Sequence, residues 1–164
     1  MKSLLMLVAC LFLLGACSSN LGGSNLPKEI PKDFNFVLNY GYEARDIINT
    51  YENTYTKNMI SNDDKTVEMK FSDEEMQTIY EEMKEADILN SAESASKSQC
   101  ADPHEINKLK ITMNGEIYQR EWITSDCDKV PDNKLKNFVE FVHREIIMIK
   151  EEYNELPEPS GGYD

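Results

Sequence analysis

The chain has 164 residues, with 30 acidic against 17 basic side chains and a formal charge of −13. Nucleic acid and anionic lipid surfaces would be repelled by that balance and are not expected partners; the acidic surface reads first as a means of staying soluble. The length suits one ordinary domain with its own core after a leader is set aside.

The leader comes first. Met1-Lys2-Ser3 carries a positive charge, and residues 4–14 are without charge or strong polarity. That stretch falls short of the roughly 20 apolar residues that a membrane-spanning helix needs. It fits the apolar segment of a secretory signal, roughly 7–15 residues long and closed by small residues. Gly15 and Ala16 supply those, and a cysteine follows. Leu14-Gly15-Ala16-Cys17 resembles the lipobox of bacterial lipoproteins. The resemblance implies cleavage of residues 1–16 and a diacylglycerol on the Cys17 sulfur, with further acylation by palmitate-like chains. Leu7-Val8-Ala9-Cys10 has the same form, but leaves too few apolar residues ahead of its cut. Two or three acyl chains, at about 0.8 kcal/mol per buried methylene, anchor a protein stably. Removing the leader takes away one basic and no acidic residue, so the charge moves from −13 to −14. Residues 17–32 are rich in Ser, Gly, Asn and Pro and read as a lipidated flexible tether. The folded part is expected over residues 33–156.

Phe34, Phe36, Leu38 and Tyr40 alternate with Asn35, Val37 and Asn39, a strand with one buried face. A second extended run, rich in Ile, Thr and Tyr, covers residues 45–59. Asn62-Asp63-Asp64 is turn chemistry, and Val67, Met69 and Phe71 alternate beyond it. Ser72 then opens a helix, with Glu75 at capping-box spacing and Met76, Ile79, Tyr80 and Met83 along one stripe. Residues 91–98 are small and polar, a surface loop.

Two runs, 106–113 and 116–124, flank Asn114-Gly115, the pair preferred in a two-residue hairpin turn. Such a turn makes Met113 face Glu116, so Ile111 faces Tyr118, Lys108 faces Glu121 and Ile106 faces Ile123. Leu109, Ile111, Met113, Tyr118 and Trp122 then share an apolar face, onto which Arg120 also falls and from which it must reach an edge. Cys100 and Cys127 lie just beyond the two strand ends. Two thiols left over in an oxidising compartment usually pair, and the hairpin base brings these within reach of a disulfide.

Pro131-Asp132 begins the last helix, with Asp132 or Asn133 as its cap. Leu135, Phe138, Val139, Val142, Ile146 and Ile149 form its apolar stripe, with Phe141, Ile147 and Met148 off centre. Pro157 and Pro159 end it, and residues 157–164 form a Pro/Gly-rich tail. The expected order is β-β-β-α-β-β-α, an α+β domain with an antiparallel sheet of about five strands and two helices packed on it.

No catalytic constellation emerges. His104 and His143 stand outside any metal-ligand spacing; His143, near the edge of the last apolar stripe, reads as structural. No nucleophile elbow, phosphate loop or CxxC is present, and the paired acids sit on turns and helix faces. No cofactor or metal is expected. Tyr51, Tyr55, Tyr118 and Trp122 could line a sugar or peptide groove, or serve as core and cross-strand pairs. In layout the chain resembles small uncharacterised lipoproteins of low-GC Gram-positive bacteria, a likeness that implies no activity. The expectation is a non-enzymatic lipoprotein on the extracytoplasmic face of the cell membrane, a binding or interaction module for an envelope protein or ligand. The alternative is an acidic inhibitor or immunity-type protein, and an envelope hydrolase comes third.

Overall fold

A computed structural model describes residues 25–91, 104–125 and 133–161. Strands β1 (Asn35–Tyr40), β2 (Asp46–Asn49), β3 (Thr54–Lys57) and β4 (Lys65–Glu68) precede helix α1 (Asp73–Glu85). Strands β5 (His104–Met113) and β6 (Glu116–Ser125) follow. Helix α2 (Lys134–Phe141) then runs into a π-helical turn (Val142–Ile147) and a short α3 (Glu151–Asn154). Neighbouring strands are antiparallel throughout, in the order β4-β3-β2-β1-β5-β6. The first four strands form a meander. After α1 the chain returns on the other side of β1 and adds the long hairpin there. The architecture is α+β as expected, with six strands instead of about five.

The extra strand arises because the run over residues 45–59 is two strands with a turn inside it. Asn49 makes that turn: its side-chain oxygen accepts from the amides of Tyr51 at 3.1 Å and Glu52 at 3.3 Å. This Asx geometry reverses the chain without glycine or proline, and Asn53 completes it at φ 53°. Thr50 fastens the turn to β1, its hydroxyl oxygen accepting from the Phe36 amide at 2.8 Å.

One face of the sheet carries the core. Phe36, Leu38, Ile48, Tyr55 and Ile111 are fully buried there against Ile79, Tyr80 and Met83 of α1 and Phe138, Val142 and Ile147 of the C-terminal helix. Each such side chain contributes roughly 1.5–3 kcal/mol relative to leaving it exposed. The capping box at α1 is formed in both directions: Glu75 N donates to Ser72 Oγ at 3.2 Å, and Ser72 N to Glu75 Oε2 at 2.7 Å. The helix stops at Asp87, whose φ is 48°; its amide bonds back to the Lys84 carbonyl and the Ile88 amide to that of Met83. That pair of bonds is the Schellman arrangement, which satisfies the orphan carbonyls of the last turn.

The hairpin register is the expected one from Met113–Glu116 through Ile106–Ile123. Lys108 and Glu121 stand opposite each other with 3.5 Å between ammonium and carboxylate. Arg120, on the core side, reaches the carbonyls of Ile88 and Ser91 beyond α1. The Asn114-Gly115 turn is clipped from outside by Asp33, whose carboxylate accepts from both turn amides at 2.8 and 2.7 Å.

The last helix departs from the expected stripe. Asn133 is its cap, accepting from Lys136 N at 3.1 Å. Within the π-helical turn the Met148 amide bonds to the His143 carbonyl, five residues back, at 2.9 Å. One extra residue per turn rotates the helix phase. Ile147 therefore points into the core at 0% exposure, while Ile149, expected on the stripe, is 68% exposed. The helix breaks at Lys150, where ψ is 141°; the Lys150 ammonium holds Glu75 at 2.8 Å and the Lys70 carbonyl at 2.9 Å.

Both ends of the domain extend past the expected limits. From Asn25 the stretch read as tether is docked: Leu26 and Ile30 pack on the core, and the Tyr80 hydroxyl donates to the Pro27 carbonyl at 2.8 Å. The start of the tail is also bound, with Ser160 bridging to Ile60 and accepting from Ser61 N at 3.2 Å.

Candidate functional site

The helices cover one face of the sheet, and on the other face the alternate residues remain exposed or half-buried. Register sorts these into rows. One runs Glu68, Thr54, Asn49, Val37, Lys110, Gln119; the next Thr66, Thr56, Ile47, Asn39, Lys108, Glu121. A third begins at Asn35, Thr112 and Ile117. Threonine and asparagine hydroxyl and amide groups dominate, with Val37 and Ile47 half-buried among them and Ile117 exposed.

At the β1–β5–β6 end of this face lies an open depression of about 420 Å³, lined by Val37, Asn39, Lys108, Lys110, Gln119 and Glu121 among others. Pockets for small ligands are commonly of roughly 300–1,000 Å³. Tyr51 leaves the β2–β3 turn and lies across the face beside it. Its hydroxyl sits 2.6 Å from Thr112 Oγ1 and donates to the Asn35 carbonyl at 3.3 Å; the Lys110 ammonium stands 5.1 Å from its ring centroid. The lysine head is thereby held at the rim of the depression by a cation–π contact.

A second polar assembly lies at the other side of the sheet, beneath the π-helical turn. The Tyr40 hydroxyl meets His143 Nδ1 at 2.9 Å, and the Tyr55 hydroxyl donates to Asp46 Oδ1 at 3.1 Å, an oxygen that also accepts from Asn58 N. Tyr153 of α3 closes the group, its ring 5.9 Å from His143, 5.7 Å from Tyr55, and 4.5 Å from the buried Lys57 ammonium. Burial, with Asp46 nearby, holds the Tyr40 hydroxyl well above its ordinary range, and burial raises Tyr55 and Tyr153 as well. Burial also raises the Asp46 carboxyl against the hydrogen bonds from Asn58 and Tyr55, and lowers His143, helped by Arg144 and Lys57. Desolvation thus disfavours the charged form of each. The assembly joins β1, β2 and β3 to the C-terminal helix, and its work is to hold that helix down.

The four aromatic residues considered for a groove do not share a surface. Tyr55 and Trp122 are buried on the helix side and Tyr118 packs partly against the same core, while Tyr51 alone lies on the open face. Cys17, Cys100 and Cys127 lie outside the described residues. Among the described residues no group of three His, Cys, Asp or Glu side chains could hold a metal ion, and no helix is long and apolar enough to cross a membrane. No family model, no curated protein and no solved structure matches the chain.

The sequence pointed to Lys108–Glu121 only as a cross-strand pair. That they border a depression depends on β5 pairing with β1, which brings in Val37 and Asn39 from about 70 residues away.

Proposed function

We propose that this protein is a lipid-anchored, non-catalytic binding module on the extracytoplasmic face of the cell membrane, with the open sheet face as its ligand surface. The observation that carries the reading is the depression in that face. Hydrogen-bonding side chains from three strands converge on it, and among the described residues no helix lies over them. A face needed only for solubility would gain nothing from half-buried Val37 and Ile47 set among paired amides and hydroxyls. The lipobox supplies the anchor. Seven residues lie between Cys17 and docked Asn25, and the eight Cα steps from one to the other span at most roughly 29 Å at full extension. Such a leash keeps the domain close to the headgroups.

Two measurements test it. The native protein should partition into the detergent-rich phase of a cloud-point separation, and Cys17→Ser should move it to the aqueous phase; unchanged partitioning would overturn the anchor. A photo-crosslinking residue at Gln119, on the open face, should trap an adduct on intact envelopes, whereas one at Gln77, exposed on α1, should not. Equal labelling, or none at position 119, would overturn the binding face.

A further inference from the structure

We infer that the depression on the open face binds a small organic monocarboxylate. This rests on the reading of that face as a ligand surface and adds the chemistry of the ligand.

The argument is one of local charge. Lys108 and Lys110 lie on the same face of β5, so their Cα atoms are about 7 Å apart. One carboxylate, that of Glu121, shares the lining with them. Its contact with Lys108 is 3.5 Å long and exposed on both sides, an arrangement that is worth little and readily opened. Among the described residues Lys110 has no carboxylate partner; its contact is the Tyr51 ring. Arg120 also lines the depression, but its guanidinium is turned to the Ile88 and Ser91 carbonyls on the core side. Lys108, Lys110 and Glu121 therefore leave the depression with one positive unit, in a chain whose formal charge is −13.

That contrast selects the ligand. A polyanion, or an anionic membrane, would be repelled by the surrounding acidic surface. A small anion inside the depression is within contact distance of the lysines, while charges beyond about 8 Å are largely screened at physiological salt. A single negative charge matches the local balance. A phosphate dianion would exceed it, and Arg120, the arginine of the lining, gives its guanidinium to the Ile88 and Ser91 carbonyls instead of offering a bidentate grip. Gln119 and Asn39 offer amide groups to neutral parts of the ligand, and Val37 gives an apolar floor. Hydroxyl or amide substituents near the carboxylate would suit these groups.

The mature chain bearing Cys17→Ser can be titrated with glucuronate, glucose and inorganic phosphate while its amide NMR signals are followed. Glucuronate should shift the signals of Lys108, Lys110 and Gln119. Lys110→Ala should weaken it about ten-fold, the loss of one charge-assisted bond, with the melting temperature unchanged because the side chain lies on the open face. Added sodium chloride should weaken binding further. An equal response to glucose would overturn the role of charge while leaving the face as a binding surface. A stronger response to phosphate would replace the carboxylate by a general anion site. No response at these residues to any of the three would overturn the inference, and detergent partitioning would still report on the anchor by itself.

Discussion

Tyr40 and His143, 103 positions apart, meet through a hydrogen bond of 2.9 Å between hydroxyl and Nδ1. The first strand is thereby tied to the π-helical turn of the C-terminal helix, with either atom able to donate according to the imidazole tautomer. Folding lowers the His143 pKa from its ordinary 6.5, through burial and the cations Arg144 and Lys57. Between that lowered value and about 6.5 the unfolded chain binds more protons than the folded one, so unfolding free energy falls as pH falls. The contribution is fully present above about pH 6.5 and is lost on acidification. Asp46 has the opposite sign: its pKa is raised by burial, so its favourable share is present at low pH and lost as pH rises through the folded value. Urea unfolding of the wild type and of His143→Gln separates the two, because Asp46 is common to both. The stability advantage of the wild type should shrink between pH 7.5 and pH 5; a constant gap would refute the latch. Tyr40→Phe should cost about 0.5–1.5 kcal/mol at pH 7.5.

The π-helical turn makes a second expectation that runs against simple periodicity. A regular helix through residues 135–149 would put Ile149 on the buried stripe, whereas the structure buries Ile147 completely and leaves Ile149 68% exposed. Ile147→Ala should then cost about 2–5 kcal/mol, the usual range for truncating a buried isoleucine. Ile149→Ala should stay within about 0.5 kcal/mol of the wild type, as surface substitutions do. Equilibrium denaturation of the two variants decides it, and the reverse order would show an uninterrupted α-helix.

What could be read from the chain itself was whatever local chemistry determines. Asn114-Gly115 between alternating runs fixes the hairpin and all its cross-strand pairs, and Ser72 with Glu75 fixes the start of α1, because each signal lies within a few residues of its effect. The β2–β3 turn escaped because Asn49 makes it with a side chain, inside a run of good strand formers. The π-helical turn escaped because an apolar stripe is drawn on the assumption of 3.6 residues per turn. Neither site could be seen. Tyr40, Asp46, Tyr55 and His143 become neighbours only when β1 and the last helix close over the same core. Lys110 meets Tyr51 only because β5 inserts beside β1.

Asp33 gives a third expectation. Its carboxylate is a clip on the hairpin turn, and the hydrogen bonds from Gly115 and Asn114 pull its pKa below 3.8. A carboxylate lowered on folding stabilises above its unfolded pKa and loses that effect as pH falls through the folded value. Asp33→Asn should therefore be less stable than the wild type near neutrality, and the difference should vanish in strong acid. Gly115→Ala tests the turn itself. A Cβ there meets nothing within 4 Å, yet φ is +76°, so a cost of about 1 kcal/mol would come from backbone conformation alone. Thermal melts that leave Gly115→Ala unchanged would mean that the turn adopts another type.

The paired strands also bear on Cys100 and Cys127. The β5–β6 ladder runs as far as His104 opposite Ser125, four residues after Cys100 and two before Cys127. Both strands leave the ladder at the same end, and the four and two residues that lead from there to the cysteines are enough chain for a bridge between them. In an oxidising compartment the expected outcome is an intramolecular bridge. It would close a loop of about 28 residues and add on the order of 3–4 kcal/mol in the chain-entropy model. Mass spectrometry of the exported protein after alkylation, without and with prior reduction, should show two protected thiols that become labelled on reduction. The reduced form should melt lower than the oxidised one at neutral pH. If both cysteines alkylate without reductant, the hairpin base is held by its hydrogen-bond ladder and core packing alone, and Cys100→Ser should then leave the melting temperature where it was.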